Sequence, residues 1–140
     1  MDRDFATAVA ARRAEAWRVK DPRTVGSDYA DDAIVESPAA GTVSGRQGIE
    51  ATYRMWFTAF PDGQLSQEEV FVDGDRIVMT YSVKGTQMGE FLGMPPSGKH
   101  IEFRGVALMK VRGDKIVHER RVYDFTGFLV RLGVIKAKPA

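Results

Sequence analysis

The segment Leu-Met-Lys-Val-Arg-Gly-Asp-Lys-Ile (residues 108–116) decides the fold, with Gly-Met-Pro-Pro-Ser (93–97) before it and Asp-Phe-Thr-Gly-Phe-Leu-Val-Arg-Leu-Gly (124–133) after it. The residues around the first segment are rich in β-branched side chains, which predicts two long strands over residues 101–112 and 115–123. Gly113 and Asp114 lie between them as a turn. A short helix is predicted to follow from Asp124.

Upstream of this segment, the hydrophobic period changes from helical to strand-like near Gln64. Helices are predicted over residues 5–20, 24–29 and 46–60, the last with Ser44 as its N-cap, and a short strand over 33–37. Residues 65–72 and 76–84 predict a hairpin, and residues 85–99 a loop with four glycines and two prolines. Helices followed by consecutive strands indicate one α+β domain over residues 1–140 with an antiparallel sheet.

The composition excludes several function classes. The chain has 140 residues with 20 basic and 19 acidic side chains, so no basic surface for nucleic acid is expected. It has no cysteine and two histidines 18 residues apart, which argues against disulfides and a metal site. The N-terminus shows no apolar leader and no segment is long enough to span a membrane, so we expect a cytoplasmic protein.

Four motifs together resemble the SnoaL-like polyketide cyclases, a branch of the ketosteroid-isomerase-like (nuclear-transport-factor-like) fold. They are Gly-Xaa-Pro-Pro from Gly93, Leu-Met before the turn, Arg-Xaa-Xaa-Xaa-Asp-Phe from Arg120, and the closing Leu-Gly at 132–133. The resemblance extends over roughly residues 5–133. It implies N-terminal helices packed on a strongly bent antiparallel sheet, forming a cone with an internal cavity, a short C-terminal helix, and chemistry that needs no cofactor.

The resemblance also implies two replaced residues. In these cyclases an Asp on the last long strand is the acid/base of an aldol closure, with a His nearby on the preceding strand; here they fall on Arg121 and Ala107. A guanidinium stays protonated near neutral pH and cannot act as a general base. The family's own proton transfer is therefore not expected at this position.

The turn at Gly113 leaves two strand registers open. A two-residue turn would pair Ala107 with Arg120, whereas a three-residue loop would pair it with Arg121, as the resemblance favours. In the second register Glu119, Arg121 and Tyr123 share one face. Glu119 is then the candidate replacement base and Arg121 the oxyanion partner, although an ordinary paired charge is the alternative.

The cavity implied by the resemblance would be lined by large apolar side chains. The predicted ligand-binding residues are Trp17, Trp56, Phe60, Phe103, Ala107, Met109 and Tyr123. Asp124 is either a helix cap or a site residue, and His118 is expected near the surface.

Three functions remain open from the sequence. The first is a cofactor-free cyclase, isomerase or hydrolase acting on a small polyketide-, steroid- or terpenoid-like compound. The second is a non-catalytic protein that binds such an apolar molecule, and the third is a protein-interaction module. A homodimer through the outer sheet face, with Val106, Leu108 and Val122, is expected in each case.

Overall fold

The computed structural model describes residues 3–136, which form four helices and six strands. In chain order these are α1 (Arg3–Val19), α2 (Arg23–Gly26), β1 (Tyr29–Ser37), β2 (Gly41–Ser44), α3 (Arg46–Ala59), β3 (Gln64–Asp73), β4 (Arg76–Thr86), β5 (His100–Arg112), β6 (Lys115–Tyr123) and α4 (Phe125–Arg131). The predicted α+β class is confirmed, with the N-terminal helices packed on a strongly curved sheet that does not close.

The six strands form one sheet in the order β2-β1-β6-β5-β4-β3. Four of the neighbouring pairs are antiparallel, but β1 and β6 run parallel. The expected antiparallel sheet is therefore present except at this one junction. The reason is topological, since β1 comes before the consecutive strands and joins the sheet beside the last of them.

The region between β1 and α3 also differs from the prediction. The strand predicted over residues 33–37 begins at Tyr29, and β2 was not predicted. Ser44 is not a helix cap, because it is the last residue of β2 and pairs with Ile34. The residue before α3 is Gly45, whose φ of 86° is a conformation that glycine adopts without a steric penalty.

The core lies between the helices and the concave face of the sheet. The buried face of α1 carries mainly small residues and Trp17, so the helix packs closely against β3. The ring of Trp56 on α3 contacts five aromatic rings from the second half of the chain and the end of its own helix: Phe60, Phe91, Phe103, Tyr123 and Phe128. This aromatic packing connects α3, the loop after β4, the long strands and α4.

The turn between β5 and β6 has two residues, with Arg112 opposite Lys115. Ala107 is nevertheless opposite Arg121, because β6 contains a bulge. Lys110 pairs with His118 and Val111 with Ile116, which leaves Val117 as the extra residue. The register with Ala107 opposite Arg121 is thus present. It is produced by a bulge in β6 and not by the predicted three-residue loop.

The chain after β6 turns at Asp124, whose carboxylate accepts a hydrogen bond from the Gly127 amide at 2.9 Å. The helix-cap reading of Asp124 is confirmed. Between residues 3 and 136, no helix is long and apolar enough to cross a membrane. The same part of the chain contains no group of three or more His, Asp or Glu residues placed to hold a metal ion.

Candidate active site

A small cavity lies on the concave face of the sheet, below α1 and α3. Its volume is about 40 Å³, enough for roughly three water molecules. The lining is mostly apolar or aromatic, and its polar side chains come from two arginines, a glutamine and three tyrosines. The lining residues are Arg13, Trp17, Tyr53, Trp56, Leu65, Gln67, Met79, Tyr81, Val83, Phe103, Ala107, Arg121 and Tyr123.

Behind the polar end of this cavity is a group that we call the Glu119 cluster: Arg13, Tyr29, Tyr53, Glu119 and Arg121. The Glu119 carboxylate is completely buried and accepts four hydrogen bonds. Arg13 donates two of them, Arg121 donates one at 2.7 Å, and the Tyr29 hydroxyl donates one at 2.7 Å. The carboxylate therefore has a donor for essentially every lone pair.

The tyrosines connect the two arginines. Arg13 donates to the Tyr29 hydroxyl at 2.8 Å, and Arg121 donates to the Tyr53 hydroxyl at 2.9 Å. The two hydroxyls are 3.2 Å apart. This network fixes the orientation of Arg121 over the ring of Tyr53, with its guanidinium carbon 5.0 Å from the ring centre.

Electrostatics determine the protonation of the cluster. Burial alone would raise the pKa of Glu119, but the charges and hydrogen bonds of Arg13 and Arg121 outweigh it and hold the pKa well below 4.5. Burial likewise opposes the charge on both arginines, and Glu119 and the tyrosines nevertheless hold their pKa values above the ordinary range. Burial raises the pKa of Tyr29, which stays a neutral donor. The carboxylate and the two guanidinium groups of the cluster are thus charged at neutral pH.

Several polar groups around the cavity lack a partner among residues 3–136. The Arg13 Nε and the Gln67 Oε1 are buried without a hydrogen bond. Arg121 uses its Nε and Nη2, which leaves the Nη1 with no bond inside the described chain. The hydroxyl of Tyr81 likewise has no hydrogen-bond partner among the described residues, and burial raises its pKa so that it remains a neutral donor. Of these four groups, the Arg13 Nε and the Gln67 Oε1 are the fully buried ones, and unsatisfied buried groups are uncommon in protein interiors.

The structure brings together most of the predicted site residues. Trp17, Trp56, Phe103, Ala107, Arg121 and Tyr123 line the cavity, whereas Glu119 lies behind the two arginines and does not. Phe60 and Met109 do not line it either. Phe60 is buried against Trp56, and Met109 has its sulfur 3.5 Å from the Arg13 Nη2. Whether any of these residues binds a ligand or moves a proton stays a prediction.

Sequence reasoning missed Arg13, Tyr29, Tyr53, Gln67 and Tyr81. A signal existed for Arg13, which lies one helical turn from both Val9 and Trp17 on the buried face of α1. A charged residue inside an apolar helical stripe indicates a buried partner. No such signal existed for Gln67, which lies on β3, a strand of otherwise ordinary alternating exposure.

His118 lies outside this site, near the surface as expected. It is half-buried, and its ring nitrogen is 2.7 Å from a Glu36 carboxylate oxygen on the neighbouring strand.

The geometry can be compared with that of known proteins. No curated protein matches the chain. Among solved structures, AclR from Streptomyces galilaeus, described as a candidate hydroxylase, is 25% identical with a TM-score of 0.83, over 99% of this chain and 87% of that one. IdmH from Streptomyces antibioticus, described as a candidate polyketide cyclase, is 26% identical with a TM-score of 0.75, over 91% and 98% of the two chains.

A third structure, from Catenulispora acidiphila, is described as having a ketosteroid-isomerase-like fold and contains trimethylamine. It is 19% identical to this chain, with a TM-score of 0.77 over 94% of this chain and 97% of that one, and shows the fold alone. The sequence profile of one family matches residues 7–132. The chain therefore belongs to the SnoaL-like polyketide cyclase family.

Proposed function

We propose that this protein binds a small, largely apolar molecule in its cavity, with an oxygen atom of that molecule at the Glu119 cluster. The observation that carries the proposal is the free Nη1 of Arg121, which has no partner among the described residues although the arginine lines the cavity. The rest of the lining is mostly aromatic and aliphatic. A mainly apolar pocket with a few convergent donors is the usual form of a small-molecule site.

The surroundings of Glu119 favour binding over the family's aldol chemistry. Its carboxylate already accepts four hydrogen bonds, and its pKa lies below the ordinary range. A useful general base has a pKa near the working pH and must reach the proton that it removes. Glu119 does not line the cavity, so its role in this proposal is that of a counter-ion that holds Arg13 and Arg121 in place.

The size of the cavity limits the ligand. A volume of about 40 Å³ holds a few atoms, whereas pockets for drug-sized ligands measure about 300–1,000 Å³. A ring compound would enter only with movement of side chains around the cavity, and Leu65 and Gln67, both only partly buried on β3, are the natural candidates. Compact one- or two-ring compounds are therefore the expected ligands.

A cyclase, isomerase or hydrolase reaction is the second candidate, favoured by the family and by Arg121. A donor held at the end of an apolar cavity can stabilise the oxyanion of an enolate formed from a bound ketone. In this version Glu119 would remove the proton after some rearrangement of the cluster. Among polyketide-, steroid- and terpenoid-like carbonyl compounds, the smallest one- or two-ring members are the substrates to examine first.

Binding is tested by titrating such carbonyl compounds while following tryptophan fluorescence, with calorimetry as confirmation. Ala107 is completely buried and lines the cavity, so Ala107→Leu should fill it and abolish binding. Ala51 is exposed on α3, and Ala51→Leu provides the matched control, which should bind like the natural protein. Equal binding by both variants would place the ligand elsewhere and overturn the proposal.

Catalysis is tested separately by following hydrogen–deuterium exchange beside the carbonyl of 2-tetralone by NMR. The binding proposal expects no acceleration by the protein. An acceleration that Glu119→Gln abolishes and Arg121→Lys only weakens would support the enzyme. A double change, Ala107→His with Arg121→Asp, would restore the arrangement that the family resemblance implies, and a gain of cyclase activity in this variant would support the assigned correspondence.

A further inference from the structure

The buried part of the site carries an uncompensated positive charge. Arg13 and Arg121 contribute two positive charges and Glu119 one negative charge, while burial raises the pKa of Tyr29 and keeps its hydroxyl neutral. Asp28 is the only other buried carboxylate among residues 3–136, and it forms its own ion pair with Arg12 at 2.7 Å. The side chains of Arg13 and Arg121 are only 6% and 11% exposed. A surplus charge that is shielded from water is unfavourable unless a partner compensates it.

The donors that remain free are the ones that an anion would use. Arg121 Nη1 carries two hydrogens and has no partner within the described residues. Tyr81, which lines the same cavity and lies over Gly105 on the neighbouring strand, offers a further free hydroxyl. The Arg13 Nε is also unpaired, and Arg13 as a whole is 5% exposed.

We infer that the natural ligand of this cavity carries a carboxylate, which takes the position beside Arg121 Nη1 and Tyr81 and neutralises the surplus charge. This inference rests on the binding function proposed above and names the chemical class of its ligand. The apolar body of the ligand would face Trp56, Phe103 and Val83. Hydrogen bonds between ionised partners are about twice as strong as neutral ones, so charge, and not shape alone, would select the ligand.

The test uses two pairs of ligands that share a shape and differ in charge: benzoate with benzamide, and 2-naphthoate with 2-naphthamide. Binding is measured by calorimetry at pH 7 and low ionic strength. We expect each carboxylate to bind about tenfold more tightly than its amide, the ratio expected for a charged in place of a neutral hydrogen bond. A difference smaller than about twofold in both pairs would overturn the carboxylate assignment.

Three variants locate the effect. Arg121→Gln should remove the preference for the carboxylate while the amides still bind, and Tyr81→Phe should reduce it. Arg120→Gln changes the neighbouring arginine, which is exposed on the other face of β6, and should leave the preference unchanged. Loss of the preference in Arg120→Gln, or its persistence in a folded Arg121→Gln protein, would contradict the assignment.

The outcomes separate the two proposals. If the amides and carboxylates bind equally and Ala107→Leu blocks both, the binding function stands and the carboxylate inference fails. If neither member of either pair binds, and no carbonyl compound binds in the fluorescence titrations, the proposed function itself fails.

Discussion

Glu119 on β6 and Arg13 on α1 are 106 residues apart in the chain, yet they form two hydrogen bonds in the interior of the protein. This pair connects the first helix to the last strand. Arg121 completes an Arg–Glu–Arg arrangement from which water is almost excluded. The stability of such an arrangement depends on its being complete, because removal of one partner leaves the others buried without compensation.

Glu119→Gln should therefore destabilise the protein strongly. It leaves two buried guanidinium groups without a counter-ion, and we expect a loss of about 3–5 kcal/mol in the free energy of unfolding. Urea denaturation followed by circular dichroism measures this loss. Glu102→Gln, at an exposed position of β5, is the matched control and should change stability little. A loss no larger than that of the control would contradict the ion-pair account.

The buried carboxylate of Glu119 should also make the free energy of unfolding depend on pH. The pKa of Glu119 is lower in the folded protein than its ordinary value of 4.5, so below that pH the unfolded chain binds more protons. The contribution of Glu119 is fully present above about pH 4.5 and is lost as the pH falls toward the folded-state pKa. Unfolding free energies between pH 7 and pH 3 should decrease less steeply in Glu119→Gln than in the natural protein. If the unfolding free energies of the two proteins fall in parallel as the pH is lowered, groups other than Glu119 dominate the loss of stability in acid.

Trp56 should be important for both stability and binding. It is 6% exposed and contacts six aromatic rings, that of Trp17 included, so Trp56→Ala should cost about 3–5 kcal/mol and weaken ligand binding. Met88→Ala, at a residue that is 60% exposed on the loop after β4, is the control and should cost far less. If no apolar carbonyl compound alters the tryptophan emission of the natural protein, the main support for a ligand at this ring is lost.

The outer face of the sheet suggests an assembly. Phe71 and Val122 are about half exposed there, and Val78, Val106 and Leu108 lie between them as cross-strand neighbours. A contiguous apolar face of this kind is typical of an interaction surface, and we expect a homodimer. Light scattering should give twice the chain mass of 15.5 kDa. Val122→Glu should yield monomers, whereas Val19→Glu, at an exposed valine on α1, should not. A monomeric natural protein at tens of micromolar would contradict this expectation.

Gly105 permits the close approach of Tyr81 to β5. A Cβ at this position would lie 2.5 Å from the Tyr81 hydroxyl oxygen, and the ring is almost completely buried. Gly105→Ala should displace the ring, cost about 1–3 kcal/mol and impair ligand binding. Adding Tyr81→Leu should relieve the clash. The double variant should therefore lose less free energy of unfolding than the sum of the losses in the two single variants. Simple additivity would show that the two residues are not coupled.

The fold could be predicted from the sequence because long, strongly patterned segments determine it. The boundaries of β6 were predicted without error, and Asp124 was recognisable as a cap from the helical residues after it. The parallel pairing of β1 with β6 was not predictable, since it depends on contacts distant in the chain. The Glu119 cluster was half predicted: alternation placed Glu119 beside Arg121, but Arg13 came from a helix more than 100 residues earlier. The apolar stripe of α1 could have indicated that Arg13 is buried, but a local pattern does not identify the partner of a buried charge.

The bulge at Val117 means that the identity of the site depends on one backbone insertion as much as on its side chains. Because successive residues of a strand point to opposite faces, the extra residue decides which side chains of β6 face inward. With the same residues and the same two-residue turn but no bulge, Ala107 would lie opposite Arg120, so Arg120 and Val122 would point into the cavity and Glu119 and Arg121 would move to the outer face. Deleting Val117 would instead leave a regular hairpin with Ala107 still opposite Arg121, so the strand could lose this one codon without exchanging its interior and exterior chemistry.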